Sequence, residues 1–212
     1  MSPRIFLLKI AAILFCAALY FTRVLLSGGT YFSFMLWNLF LAALPLGFAL
    51  LLPRSRVYSR ALPLLALWLL FFPNAPYVLT DLIHLRPRVG VPVWFDLTML
   101  LSFSFTALWL GFESLRLVQT WVARHFSHRT AWAGVVLVMP LTGFGIYLGR
   151  FLRWNSWDIL TRPLALMRSI AAPLMQPTAY AEVWLFTLIT AALLTLAYLV
   201  WIFAAPSAKE VD

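Results

Sequence analysis

Five long apolar stretches divide this chain: Ile5 to Leu26, Phe32 to Leu52, Val93 to Val118, Ala131 to Leu148 and Val183 to Ala204. Each is long enough to serve as a helix crossing a hydrocarbon core about 30 Å thick, which takes roughly 20 residues. Trp and Tyr stand near several of their ends, as interfacial anchors do. A sixth run, Ala61 to Phe72, is too short to cross alone and passes into "FFPNAPYVLTDLIHL", where two prolines, Asn74, Asp81 and His84 break the apolar pattern. At a rise of about 1.5 Å per residue from Ala61, Pro73 lies roughly 18 Å across and Asp81 roughly 30 Å. Proline removes an amide donor and restricts its predecessor, so Pro73-Asn74-Ala75-Pro76 should interrupt the helix, with Asn74 bonding freed backbone groups. Unwound backbone at that depth requires cover by protein or a water-filled cavity. A short segment from Tyr77 to Leu85 then carries Asp81 and His84 at i and i+3 on one face.

Between the last two spans, Trp157, Leu160, Leu164, Met167 and Leu174 recur at helical spacing opposite Asp158, Thr161, Arg168 and Ser169. This predicts a surface-lying amphipathic segment, interrupted at Pro163 and ended near Pro173, that roofs the polar end of the bundle. The pattern as a whole predicts an all-α fold. It is a polytopic integral membrane helical bundle of about six transmembrane helices, with a Pro-broken third helix and an interfacial amphipathic segment before the last span. No linker or repeat divides residues 1–212, so they read as a single transmembrane domain.

Composition agrees, because 63% hydrophobic and 11% charged residues leave too little polar surface to clothe a soluble domain of 212 residues. The net charge of +9 is scattered through the short gaps between apolar runs, which favours anionic lipid as partner over nucleic acid. Cys16 is the lone cysteine, so neither an intrachain disulfide nor a cysteine metal cluster can form. Arg4 and Lys9 resemble the start of a signal peptide, but the run continues to Arg23 without a small-residue cleavage site and reads as a retained first helix. Arg54, Arg56 and Arg60 before the third run, and Arg116, Arg124 and Arg129 after the fourth, place both loops in the cytoplasm. A multi-pass cell-membrane protein with both termini cytoplasmic follows. That arrangement leaves nine basic residues inside and seven outside, and the outer seven, Arg23, Arg86, Arg88, Arg150, Arg153, Arg162 and Arg168, mostly sit beside other polar residues.

The second polar cluster is "GIYLGRFLRWNSWDIL", closing the fifth span at the same expected face as Asp81. Arg150 and Arg153 stand at i and i+3, as do Asn155 and Asp158, with Trp154 and Trp157 at headgroup level. Gly145 and Gly149 form a GxxxG that suits close helix packing. Asp96 adds a carboxylate at that level, whereas Glu113 lies about 26 Å away along the fourth span and is expected to pair with Arg116. His125 and His128, flanked by arginines and without a carboxylate, read as a solvated loop. The motifs "PNAPYVLTDLIHL" and "GIYLGRFLRWNSWDIL" resemble the bacterial membrane-protein family catalogued as domain of unknown function 1361. The resemblance covers most of the chain. It implies architecture and marks Asn74, Asp81, His84, Arg150, Arg153, Asn155 and Asp158 as a family constellation, but it brings no reaction, cofactor or partner.

Paired guanidiniums suit phosphate or carboxylate, so Arg150 and Arg153, with Asn74 and Asn155, are the expected substrate-binding groups. Asp81, His84 and Asp158 are the expected catalytic groups, since carboxylates serve as bases or cation ligands and histidine transfers protons near neutral pH. An outer-face pocket between the third, fourth and fifth spans would then bind, and as an enzyme modify, an anionic lipid or lipid-linked substrate. Two alternatives use the same residues: a small transporter or flippase working through the broken third helix, and a non-catalytic scaffold in which Asp81 and Asp158 pair with Arg150 and Arg153. The residues name no metal, cofactor, reaction or oligomeric state.

Overall fold

The computed structural model describes residues 3–53 and 58–204, so Arg54 and Arg56 of the expected cytoplasmic loop lie outside the described residues. Among the described residues all regular structure is helical: α1 Pro3–Ser27, α2 Phe34–Leu50, α3 Tyr58–Phe71, α4 Asn74–Tyr77, a 3-10 turn Val78–His84, α5 Val93–His125, α6 His128–Arg150, α7 Asp158–Thr161, α8 Pro163–Met175 and α9 Ala181–Ala204. Arg4–Ser27, Tyr58–His84, Val93–His125, His128–Arg150 and Ala181–Ala204 are long and apolar enough to cross a membrane. With α2, 17 residues long and therefore about 25 Å, at the short end of what can cross, the chain is a multi-pass membrane protein. The chain forms two compact units, Met1–Val118 and Gln119–Asp212.

In the first unit, the third apolar run is broken where the prolines require it, but it tightens instead of unwinding. Pro73, Tyr77 and Val78 all keep right-handed helical backbone angles, and the chain turns extended only at Leu85. The Ala75 amide bonds Phe72 O at 3.1 Å, a three-residue step that frees Phe71 O, and Asn74 Nδ2 donates to that carbonyl at 2.8 Å. Small side chains let this irregular stretch lie against its neighbour. A Cβ on Gly111 of α5 would stand 2.7 Å from the Ala75 Cβ. Side chains of α1 and α5 also meet along a polar seam. Lys9, Cys16 and Arg23, spaced by seven and so on one face of α1, meet Glu113, Thr106 and Asp96 at 3.6, 3.4 and 2.8 Å. Glu113, expected to pair with Arg116 on its own helix, is thus reached by Lys9 from α1.

In the second unit, α6 and α9 pack so closely that a Cβ on Gly143 would lie 2.5 Å from Thr187 O. Phe144 stacks on Trp184, and Phe151 meets Phe186 edge-on. α6 starts at an N-cap, Ser127, whose hydroxyl accepts from the Thr130 amide at 3.0 Å. His125, expected in a solvated loop, is buried, stacked on Trp121 with its Nδ1 2.8 Å from Trp121 O. Pro163 opens α8 at a position where its missing N–H costs nothing. Leu160 (84% exposed), Leu164 and Met167 all point away from this unit, as the apolar stripe of an interfacial helix must. Trp184 Nε1 ties the end of α8 to α9 through Pro173 O at 3.2 Å.

Candidate functional site

The polar groups of the first unit gather where α1, α2, the 3-10 turn and the start of α5 meet. The i, i+3 spacing of Asp81 and His84 survives in the 3-10 turn, whose three residues per turn place the two side chains one above the other. Asp81 is buried and accepts a hydrogen bond from Asn38 Nδ2 at 2.9 Å, an amide supplied from the second turn of α2. His84 lies edge-on to Phe34, one helical turn before Asn38, with ring centroids 5.1 Å apart. Beside them Arg23 and Asp96, 73 positions apart in sequence, form a buried two-point contact, Nε to Oδ1 at 2.8 Å and Nη2 to Oδ2 at 3.4 Å. The Arg23 guanidinium also lies over the Phe32 ring at 4.5 Å and donates to Ser27 Oγ at 3.3 Å. A charge removed from water needs this combination of counter-charge and further contacts to be tolerable in a membrane interior.

The second unit holds Arg150, Arg153, Asn155 and Asp158 on the loop that follows α6. Asp158 is buried and occupied by its own surroundings: the Asn155 amide at 2.8 Å, Asn155 Nδ2 at 3.4 Å, Thr161 Oγ1 at 3.0 Å, and Arg162 Nε and Nη2 at 3.3 and 3.1 Å. Five donors meet about four lone-pair directions, so this carboxylate works as the anchor of the loop. Its ion-pair partner is Arg162; the expected pairing of Asp158 with Arg153 is not made. Arg162, four residues on at the C-cap of α7, reaches it at less entropic cost than a side chain across the loop. Arg162 in turn covers the Trp154 ring at 4.7 Å. Arg153 is exposed, makes no hydrogen bond or ion pair among the described residues, and has φ +57 in the left-handed region. The adjacent Trp154 amide reaches back to Leu148 O at 3.0 Å, which fixes this reversal of the chain.

The Asn155 amide, and then Thr161 and Arg162, hold the Asp158 carboxyl below the usual carboxylate range. A depressed acid stabilises the fold above its unfolded-state value and loses that contribution as pH falls through the lower folded-state value. Protection of the Asn155 amide, its exchange measured against the intrinsic rate at each pH, is therefore expected to hold down to about pH 4, near the ordinary carboxyl value, and to fall below it. Asp158→Asn should abolish the step. A loop equally protected at pH 7 and at pH 2 in the parent protein would contradict this role.

Sequence reasoning named Asn74, Asp81, His84, Arg150, Arg153, Asn155 and Asp158 as candidates, and did not name Asn38 as a partner of Asp81 or Arg23 as the partner of Asp96. The available signal was a lone Asn in an apolar run, and an arginine seven and fourteen residues after Cys16 and Lys9. Among the described residues no three His, Cys, Asp or Glu side chains lie together as a metal ligand set. A family model matches residues 37–202, a span that contains both polar motifs. The chain belongs to the family described as protein of unknown function (DUF1361). In this DUF1361 member the matched span holds both polar clusters except Arg23, which α1 contributes from outside it. Neither a curated protein nor a solved structure matches the chain.

Proposed function

We propose that this protein binds an anionic lipid, or a lipid-linked substrate bearing a phosphate, through the loop that joins α6 to α7 at the outer face of a cell membrane, both termini being cytoplasmic. The observation that carries the reading is Arg153: an exposed guanidinium without a partner among the described residues, held on a left-handed backbone. A non-glycine residue pays roughly 1–2 kcal/mol for that conformation, and such strain is found where a side chain's placement matters to function. Its surroundings suit a headgroup layer. α6 and α9 are both membrane spans by length and composition, Trp154 and Trp157 flank the loop, and α8 turns its leucines outward. A planar fork donates two parallel hydrogen bonds to phosphate oxygens, and Asp158, already saturated, does not compete for it.

The alternatives draw less support. A transporter reading relied on an unwound third helix, and the backbone from Pro73 to Val78 stays helical. A scaffold needs only matched ion pairs, whereas Arg153 is unmatched. His84 is the sole histidine of the first unit, so acid–base chemistry near neutral pH within that unit would fall to it.

Arg153→Gly separates binding from folding, because glycine accepts φ +57 freely while the guanidinium disappears. Relief of strain and greater unfolded-state entropy roughly cancel, so thermal stability in detergent should hold within about 1 kcal/mol. Affinity for phosphatidylglycerol over phosphatidylcholine, read by native mass spectrometry, should fall roughly fivefold, the worth of one basic residue at an anionic surface. Unchanged phosphatidylglycerol binding by a folded Arg153→Gly protein would sink the proposal.

A further inference from the structure

The geometry points to a second anion site, in the first unit, built on Arg88 and independent of the Arg153 loop. Arg88 is half-buried, and its guanidinium carbon stands 3.5 Å from the centroid of the Tyr31 ring and 5.5 Å from that of Phe32. Stacking at that distance fixes the plane of the guanidinium and lowers its hydration, so its hydrogen-bonding edge is pre-oriented. The backbone is fixed as well. Arg88 and Val91 bridge across a turn whose Gly90 has φ +85, and a Cβ there would be 3.7 Å from Leu26 O, so the turn rests on the end of α1.

Arg88 has no carboxylate of its own. Asp96 gives both oxygens to Arg23, and Asp81 accepts from Asn38. Arg88 Nε is buried and has no hydrogen-bond acceptor among the described residues, being covered on the ring side. The two terminal nitrogens make no hydrogen bond or ion pair among those residues either, which leaves them as the donors for a ligand. A cation placed on an aromatic floor, rigid, partly desolvated and unneutralised by protein, recognises a two-oxygen anion edge-on: a phosphate or a carboxylate. The Arg23 guanidinium also lies over the Phe32 ring, 4.5 Å from its centroid, and Asp96 neutralises it, so this pair supports the floor without adding net charge.

The experiment uses the full chain in neutral detergent, in the Arg153→Gly background so that the other loop does not contribute. The probes are inorganic phosphate for the protein in detergent and, for the same protein reconstituted into nanodiscs, phosphatidylglycerol against phosphatidylcholine, with the thermal midpoint as readout. Protection by phosphate alone identifies a free oxyanion ligand; protection by phosphatidylglycerol nanodiscs only identifies a headgroup. Arg88→Gln should weaken either response by about tenfold, the loss of a charge-assisted hydrogen-bonded contact. Arg88→Lys, which keeps the charge but not the fork, and Tyr31→Leu, which removes the floor, should each weaken it several-fold less than that. The site is overturned if neither probe protects, or if whichever of these variants fold respond like the parent. With three substitutions in hand, the outcome does not hinge on the folding of any one of them.

Discussion

Asp96→Asn is expected to destabilise the protein by about 3–5 kcal/mol, the cost of leaving a buried guanidinium without its counter-charge. Arg23 is 2% exposed, and the amide that replaces the carboxylate offers it one neutral oxygen in place of two charged ones. Arg23→Met together with Asp96→Leu removes both charges and keeps volume, and it should recover stability to within about 1 kcal/mol of the parent, since paired burial gives little net gain over apolar packing. Unfolding in a mixed detergent, followed by helicity, reads both values. A double variant as unstable as Asp96→Asn would show that the two residues do not act as a pair. The Lys9 and Glu113 pair, longer at 3.6 Å and with the Glu113 side chain 15% exposed, should lose less when broken. The two ion pairs stand about 21 Å apart along α1, at 1.5 Å per residue, so their effects should add.

Gly143→Val should be the most damaging apolar substitution in the second unit. The new Cβ would lie 2.5 Å from Thr187 O and 3.3 Å from Thr187 C and Cα, all main-chain atoms that no rotamer change can move aside. Forcing α6 and α9 apart strips contacts along the whole pair, so a loss of about 3 kcal/mol or more is expected, at or beyond the upper end of ordinary overpacking. Gly143→Ala should cost about 1–3 kcal/mol. Thr187→Ala, which leaves the offending carbonyl in place, should not rescue either variant. A Gly143→Val protein that unfolds within about 0.5 kcal/mol of the parent would mean that this approach is not what holds the two helices together.

Several features were legible from residue order because they depend on local chemistry. Pro73 and Pro76 marked the irregularity in the third run, and Asn74 was expected to take a freed carbonyl, as it does with Phe71 O. Pro163 and Pro173 bracketed α8. Asp81 and His84 kept their i, i+3 relation. The detail of the break was not legible: prolines remove donors, but whether the chain then unwinds or tightens depends on what packs beside it. Here Ala75 meets Gly111, leaving room only for a tight helical path. At Asp158 the expected partners Arg150 and Arg153 lost to Arg162, because a residue only four positions on, at the C-cap of α7, meets the carboxylate without further ordering.

The sequence by itself therefore determined an all-helical membrane protein of this family, the places of its long apolar spans, the position of its broken helix and its interfacial segment, although the fourth span, expected to end at Val118, continues as helix to His125. Only the tertiary structure decided which polar groups meet: Arg23 with Asp96, Lys9 with Glu113, Asn38 with Asp81, and Arg88 with Tyr31. The physical reason lies in the solvent. In water an amphipathic pattern shows which face of a helix is buried, but in a bilayer the surface against acyl chains is as apolar as the surface against a neighbouring helix. Seven-residue spacing could place Lys9, Cys16 and Arg23 on one face of α1. Which helix that face turns toward was set by packing, where small residues admit close backbone approach and buried charges need a counter-charge or a hydrogen-bond donor such as Asn38.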